Sequence, residues 1–119
     1  MKISFDFDGT LTERVIKELV SKLIESGTDV YILTSRFSDC MKDCYELAER
    51  LKIRNENVLS TNLQDKGDYI LANNLDLDMH FDDDYFEIDS INAKTKTLGV
   101  LISLDMHPIN QDNKQNELL

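Results

Sequence analysis

The sequence predicts an α/β fold in which a parallel sheet carries helices on both faces, and three observations support this. Five short runs rich in β-branched, aromatic and other apolar residues alternate with four stretches of helical pattern. Two of these runs end in acid: the first leads into Asp6 and Asp8, the fourth into Asp82, Asp83 and Asp84. The 119 residues are enough to bury one core and too few for two domains.

Ile3, Phe5 and Phe7 alternate with Lys2, Ser4 and Asp6, so the first strand sends its apolar side chains to one face and Asp6 to the other, at the mouth of a site. Gly9 permits a tight turn, and Thr10 and Thr12 can bond to its backbone or cap the next helix. That helix is expected from about Glu13 to Ser26, on Val15, Ile16, Leu19, Val20, Leu23 and Ile24, with Gly27 stopping it. Asp29 to Leu33 reads as the second strand, opening into Thr34-Ser35-Arg36.

A helix near Asp39 to Lys52 places Cys40 and Cys44 on one face, as reduced packing residues rather than a bridge. A zinc site is not expected, because neither His80 nor His107 stands at a ligand spacing from them. Asn57 to Ser60 is a short third strand, Lys66 to Asn73 a short helix, and Leu77 to Phe81 the fourth strand. A helix over Tyr85 to Ala93 and a fifth strand over Thr97 to Leu104 complete a core of residues 1–107, followed by a polar, frayed tail over 108–119. Tyr31 and Tyr45 are expected to pack, and His80 to be a strand residue with a satisfied ring.

Open sheets of this kind bind ligands beyond the carboxyl ends of the strands, where the winding reverses. If strands two and three lie on one side of strand one, and four and five on the other, the reversal falls between strands one and four. Asp6 and Asp82 end those strands.

Thirteen basic and twenty-three acidic residues leave a net charge of −10, which repels nucleic acid and anionic membranes at long range. An anionic substrate must then be met locally, by a divalent cation, Lys66 and Arg36. No run approaches the length of a signal sequence or membrane span, so a soluble cytoplasmic protein is expected.

Phe5-Asp6-Phe7-Asp8-Gly9-Thr10-Leu11-Thr12 resembles the first motif of the haloacid dehalogenase-like (HAD) phosphohydrolases. Val30 to Thr34 matches the second motif, Lys66 the third, and Asp82-Asp83-Asp84 the fourth, all in order. The resemblance implies a three-layer Rossmann-like sheet and hydrolysis of phosphomonoesters through an aspartyl-phosphate. It makes Asp6 the nucleophile, Asp8 the general acid and base, Thr34 a donor to the phosphoryl group, and Lys66 the charge that neutralises both. Gly9, Thr10, Ser35 and Arg36 are the remaining substrate contacts, and Arg36 is loosely similar to an Arg of the 3′-phosphatase domain of phage-type polynucleotide kinases. Mg²⁺ is the implied cofactor, held by Asp6, Asp82, Asp83 and the backbone carbonyl of Asp8, with Glu87 as a substitute for one of the acids, while Asp84 starts the next helix, where its charge suits the helix dipole.

Between these motifs there is no room for an inserted cap domain, which implies an open site and a bulky or macromolecular phosphorylated substrate. A nucleotide or nucleic-acid 3′-phosphate fits that description, though the net charge disfavours nucleic acid, and a homodimer could supply a lid. Two readings compete. In a signalling receiver the acidic pair and the Lys come in a different order. A HAD-like module that binds Mg²⁺ and a partner without turnover has no need of both Asp6 and Asp8.

Overall fold

The computed structural model describes residues 1–103. The strands are β1 (Lys2–Phe5), β2 (Asp29–Thr34), β3 (Val58–Ser60), β4 (Met79–Asp82) and β5 (Leu98–Leu101). They alternate with α1 (Arg14–Glu25), α2 (Lys42–Leu51), α3 (Lys66–Ala72) and α4 (Tyr85–Lys94). All strand pairings are parallel, in the order β3-β2-β1-β4-β5. The winding therefore reverses between β1 and β4, the order that the resemblance implies, so the two acid-ended strands are neighbours.

Alternation along the strands divides the core into two layers. Ile3 and Phe5 of β1 and Val30 and Ile32 of β2 face α1 and α2, meeting Ile16, Val20, Cys44 and Leu47. Leu33, with Tyr31 packed beside it, faces α3 and α4, meeting Ile70 and Ile91. In adjacent β1 and β4, Phe5 and Phe81 stack with ring centroids 5.0 Å apart.

α1 buries a narrower stripe than its apolar residues suggest. Ile16 and Val20 are buried and Leu23 and Ile24 pack beside them, while Val15 and Leu19 face solvent. The residues that reach the sheet lie at i, i+4, i+7 and i+8, one helical face. Gly27 ends the helix as expected, at φ +93°, while the Thr28 and Gly27 amides donate to the carbonyls of Leu23 (2.9 Å) and Ile24 (3.0 Å).

The second helix starts later than its pattern indicates, because Ser38–Cys40 forms a separate 3₁₀ turn. Cys40 and Cys44 consequently do not share a helix face: Cys40 is exposed and Cys44 is buried. Tyr45, expected to pack, is also exposed, on the outer side of α2. Leu104, His107 and the tail over 108–119 lie outside the described residues. Among the described residues no helix is long and apolar enough to cross a membrane.

Candidate active site

The amide of Asp6 continues the sheet by donating to the carbonyl of Phe81 (2.9 Å), which brings the ends of β1 and β4 together. The chain then turns through Phe7–Leu11, closed by bonds from the Leu11 amide to the Asp6 carbonyl (3.1 Å) and from the Thr12 amide to the Phe7 carbonyl (3.2 Å). Gly9 makes this turn feasible at φ +78°. A Cβ there would lie 2.3 Å from Asp83 Oδ2, so the glycine also makes room for the second acidic loop. Thr12 Oγ1 accepts from the Gly9 amide (3.1 Å), whereas the buried Thr10 hydroxyl donates to Asp6 Oδ2 (3.4 Å).

Lys66, the first residue of α3, reaches this junction from the face of the sheet to which Asp6 and Asp82 point. Its ammonium donates to Asp6 Oδ1 (2.8 Å) and Asp82 Oδ2 (2.6 Å), and the residue is only 1% exposed. Two carboxylates and one ammonium thus form a buried bridge between adjacent strands. Asp65 caps α3 by accepting from the Asp68 amide (2.9 Å), and Glu87 Oε1 accepts from the Lys66 amide (3.0 Å).

His80 takes part in the site, which goes beyond the role expected from sequence. Its Nε2 lies 2.8 Å from Asp82 Oδ2 and its Nδ1 lies 2.7 Å from Ser4 Oγ. Burial pushes its pKa down, so the ring is neutral. Nε2–H then donates to the carboxylate and Nδ1 accepts from Ser4. The sequence signal was the spacing: His80 and Asp82 are two apart in one strand and share a face.

The two carboxylates of the bridge are not equivalent. Burial raises the Asp6 pKa, the Lys66 charge opposes this, the Asp82 charge adds to it, and the result is about 7. For Asp82 burial also works upward, but the His80 hydrogen bond and the Lys66 charge outweigh it and bring the pKa down to about 2. Burial works against the Lys66 ammonium, yet the charges of Asp6 and Asp82 prevail and raise its pKa. Asp82 is the firmly ionised member, and Asp6 the one that more readily takes a proton.

Asp6, Asp82 and Asp83 each offer a carboxylate oxygen, and these atoms lie within 4.8 Å of one another. An all-oxygen anionic set of this kind fits a hard divalent cation. The Asp8 carboxylate is not part of that cluster. Asp84 caps α4, accepting from the amides of Phe86 (2.9 Å) and Glu87 (3.4 Å), which matches its expected place at the helix start.

The second loop carries Thr34, Ser35 and Arg36 at the end of β2. Thr34 is buried and its Oγ1 accepts from the Arg36 amide (3.3 Å), while Ser35 lines the pocket. Arg36 makes a two-pronged ion pair with Asp8, Nε to Oδ2 at 2.9 Å and Nη2 to Oδ1 at 2.8 Å. It also pairs with Asp43, donates to the Cys40 carbonyl (3.0 Å) and lies 4.9 Å from the centre of the Phe7 ring. Hydrogen bonds from Arg36 to Asp8 and Asp43 hold the guanidinium more firmly protonated than usual. Its partnership with Asp43 has no signature in the sequence beyond the charges themselves.

The pocket between these loops has a volume of about 160 Å³ and is lined by Asp6, Asp8, Ser35, Lys66, the acids Asp82 to Asp84, and Glu87. The cysteines stand apart from it. Burial pushes the Cys44 thiol up to about 11, and the neighbouring Asp39 carboxylate raises that of Cys40, so both stay protonated.

Fold and site together define an α/β domain whose parallel sheet gathers an acid–lysine–acid bridge at its winding reversal. No model of a known protein family matches the chain, and no curated protein matches it.

Proposed function

We propose that the chain is a capless HAD-like phosphohydrolase that cleaves phosphomonoesters in two steps through Asp6. The observation that carries this reading is the buried bridge, with Lys66 Nζ 2.8 Å from Asp6 Oδ1 and 2.6 Å from Asp82 Oδ2, beside a third carboxylate, Asp83. Between β1 and β2 there is only the acidic turn and α1, and between β2 and Lys66 only short turns, α2 and β3, which supports the absence of a cap.

In the first step a carboxylate oxygen of Asp6 attacks phosphorus, the bond from phosphorus to the leaving oxygen breaks, and Asp8 gives that oxygen a proton. In the second step Asp8 takes a proton from water, whose oxygen displaces Asp6 from phosphorus. Ester and water become alcohol and inorganic phosphate, with both carboxyl groups restored. Arg36 holds the Asp8 carboxylate beside the pocket through its Nε and Nη2. Lys66 and Ser35 face the phosphoryl group in the pocket, and Thr34 supports the loop that carries Ser35 and Arg36. A divalent cation held by Asp6, Asp82 and Asp83 supplies, when bound, the positive charge that offsets repulsion between nucleophile and phosphate.

Asp6→Asn tests the proposal directly. Phosphate release stops while the circular dichroism and unfolding temperature of the wild type are kept or exceeded, since the substitution removes a buried charge. Unchanged release excludes Asp6 as the nucleophile.

A further inference from the structure

Beneath the acids the sheet stays polar for one more step. Ser4 precedes Asp6 by two positions in β1, and His80 precedes Asp82 by two in β4, so all four side chains lie on one face. Ser4 and His80 are partners in the β1–β4 register, one rung below the acids. Both are fully buried, on the side where Leu33, Ile70, Leu77 and Ile91 form an apolar layer. A hydroxyl and an imidazole buried there incur a solvation cost that an aliphatic pair avoids, and only the hydrogen bonds they make offset it.

Those bonds run from Ser4 through the ring to Asp82. The Asp82 carboxylate has no proton to give, so His80 Nε2, 2.8 Å away, carries the hydrogen and donates it. Nδ1 is then an acceptor for the Ser4 hydroxyl at 2.7 Å. The alternative acceptor for that hydroxyl, the Met79 carbonyl, is farther, at 3.5 Å. Ser4 thereby holds the ring in the tautomer and the plane that point its N–H at Asp82.

The two acids beside Lys66 are consequently held to different degrees. Asp82 takes three donors: Lys66 Nζ (2.6 Å) and His80 Nε2 on Oδ2, and the Asp84 amide (3.0 Å) on Oδ1. It cannot turn without breaking them. Asp6 has one short bond, from Lys66 (2.8 Å), and one long bond, from Thr10 (3.4 Å). Lys66 divides its ammonium between both acids, whereas the imidazole serves Asp82 alone.

We infer that His80, backed by Ser4, is a positioning residue for the cation: it fixes the Asp82 carboxylate so that Asp6, Asp82 and Asp83 can share one divalent ion. This rests on the cation placement in the phosphohydrolase reading above, and binding rather than turnover tests it. Mg²⁺ affinity is measured by calorimetry on the full chain, in the wild type and in His80→Leu, His80→Gln and Ser4→Ala. Circular dichroism and unfolding temperature in chelator show that each variant folds, and phosphate release is followed in parallel against Mg²⁺ concentration. A glutamine can place an N–H where Nε2 stands, and a leucine fills the space with no donor.

The expected result is that His80→Leu weakens Mg²⁺ binding by about tenfold or more, the range for groups that orient metal ligands, while His80→Gln stays within about threefold of the wild type and Ser4→Ala lies between them. Wild-type affinity in a folded His80→Leu overturns the inference and leaves His80 a residue of the core. Equal weakening in the Leu and Gln variants overturns it too, since the effect then belongs to the packing of the ring. A wild type that binds no Mg²⁺ does the same. Where His80→Leu does not fold, Ser4→Ala decides: binding weaker than in His80→Gln supports the inference, and wild-type affinity overturns it. The expected affinities without phosphate release from any of the proteins leave His80 its role and remove the hydrolase, whereas Mg²⁺-dependent release with no difference in affinity does the reverse.

Discussion

Lys66 is the residue whose removal the site tolerates least. Its side chain has no exit to solvent, and it separates two carboxylates that otherwise face each other in a buried space. Lys66→Met should lower stability by about 3–5 kcal/mol, the range for a buried charge that loses its partner. Added Mg²⁺ should restore more stability to this variant than to the wild type, as read by thermal unfolding with and without chelator. Equal shifts in the two proteins contradict the placement of a cation at these carboxylates.

The same bridge sets a pH dependence. Asp6 is raised from 3.8 to about 7, so its folded form binds a proton more tightly than the unfolded chain. The cost of ionising it is absent below about pH 4 and complete above about pH 7. Asp82 has the opposite sign: lowered to about 2, it contributes stability above its ordinary 3.8 that is lost as pH falls through the folded value. Without divalent cations, stability should therefore decline from mildly acidic to neutral pH as well as in strong acid. Unfolding temperatures in chelator at about pH 5 and about pH 8 check this, the lower value being expected at pH 8 and the gap narrowing with Mg²⁺. A higher value at pH 8 in chelator contradicts the raised Asp6.

At the scale of elements, the acidic run after β4 divides its labour by position in the backbone. Asp82 ends the strand, Asp83 faces the Gly9 turn, and Asp84 caps α4. Asp84→Ala should cost about 1 kcal/mol through loss of the cap and leave Mg²⁺ affinity within about twofold, whereas Asp83→Ala should weaken Mg²⁺ binding with little loss of stability. Chemical denaturation and calorimetry on the pair separate the two roles, and the reverse assignment follows if Asp84→Ala weakens the cation more.

The elements were legible because period and punctuation agree. Alternation in β1, the glycine after α1 and the acid ends of β1 and β4 are local signals, and the structure places each where its spacing indicates. Where reading failed, the deciding force was not local. The start of α2 depends on a loop in which Arg36 gathers Asp8, Asp43 and the Cys40 carbonyl, contacts between residues distant in the chain. The exposure of Val15, Leu19 and Tyr45 depends on which helical face the sheet covers, and apolar residues wider than that face cannot indicate it.

For the whole molecule, the sheet order brings the two acid-ended strands side by side, and a net charge of −10 surrounds them. Asp6, Asp8, Lys66, Asp82 and Asp83 were legible as one site because their order along the chain is specific even where each residue type is common. His80 and Ser4 were not, since only the pairing of β1 with β4 sets Ser4 beside His80. The anionic surface and the engaged Arg36 and Lys66 disfavour a long polyanion as ligand.

The measurement that tests the central claim most directly is phosphate release by the purified protein and by Asp6→Asn, each with Mg²⁺ or chelator. The substrates should span an aryl phosphate, benzyl phosphate, nucleoside monophosphates, sugar phosphates and 3′-phosphorylated oligonucleotides. The account predicts release that requires Mg²⁺ and disappears in Asp6→Asn. Release that survives Asp6→Asn or persists in chelator contradicts it, as does silence across the panel from a folded protein that binds Mg²⁺, the behaviour of a non-catalytic cation-binding module.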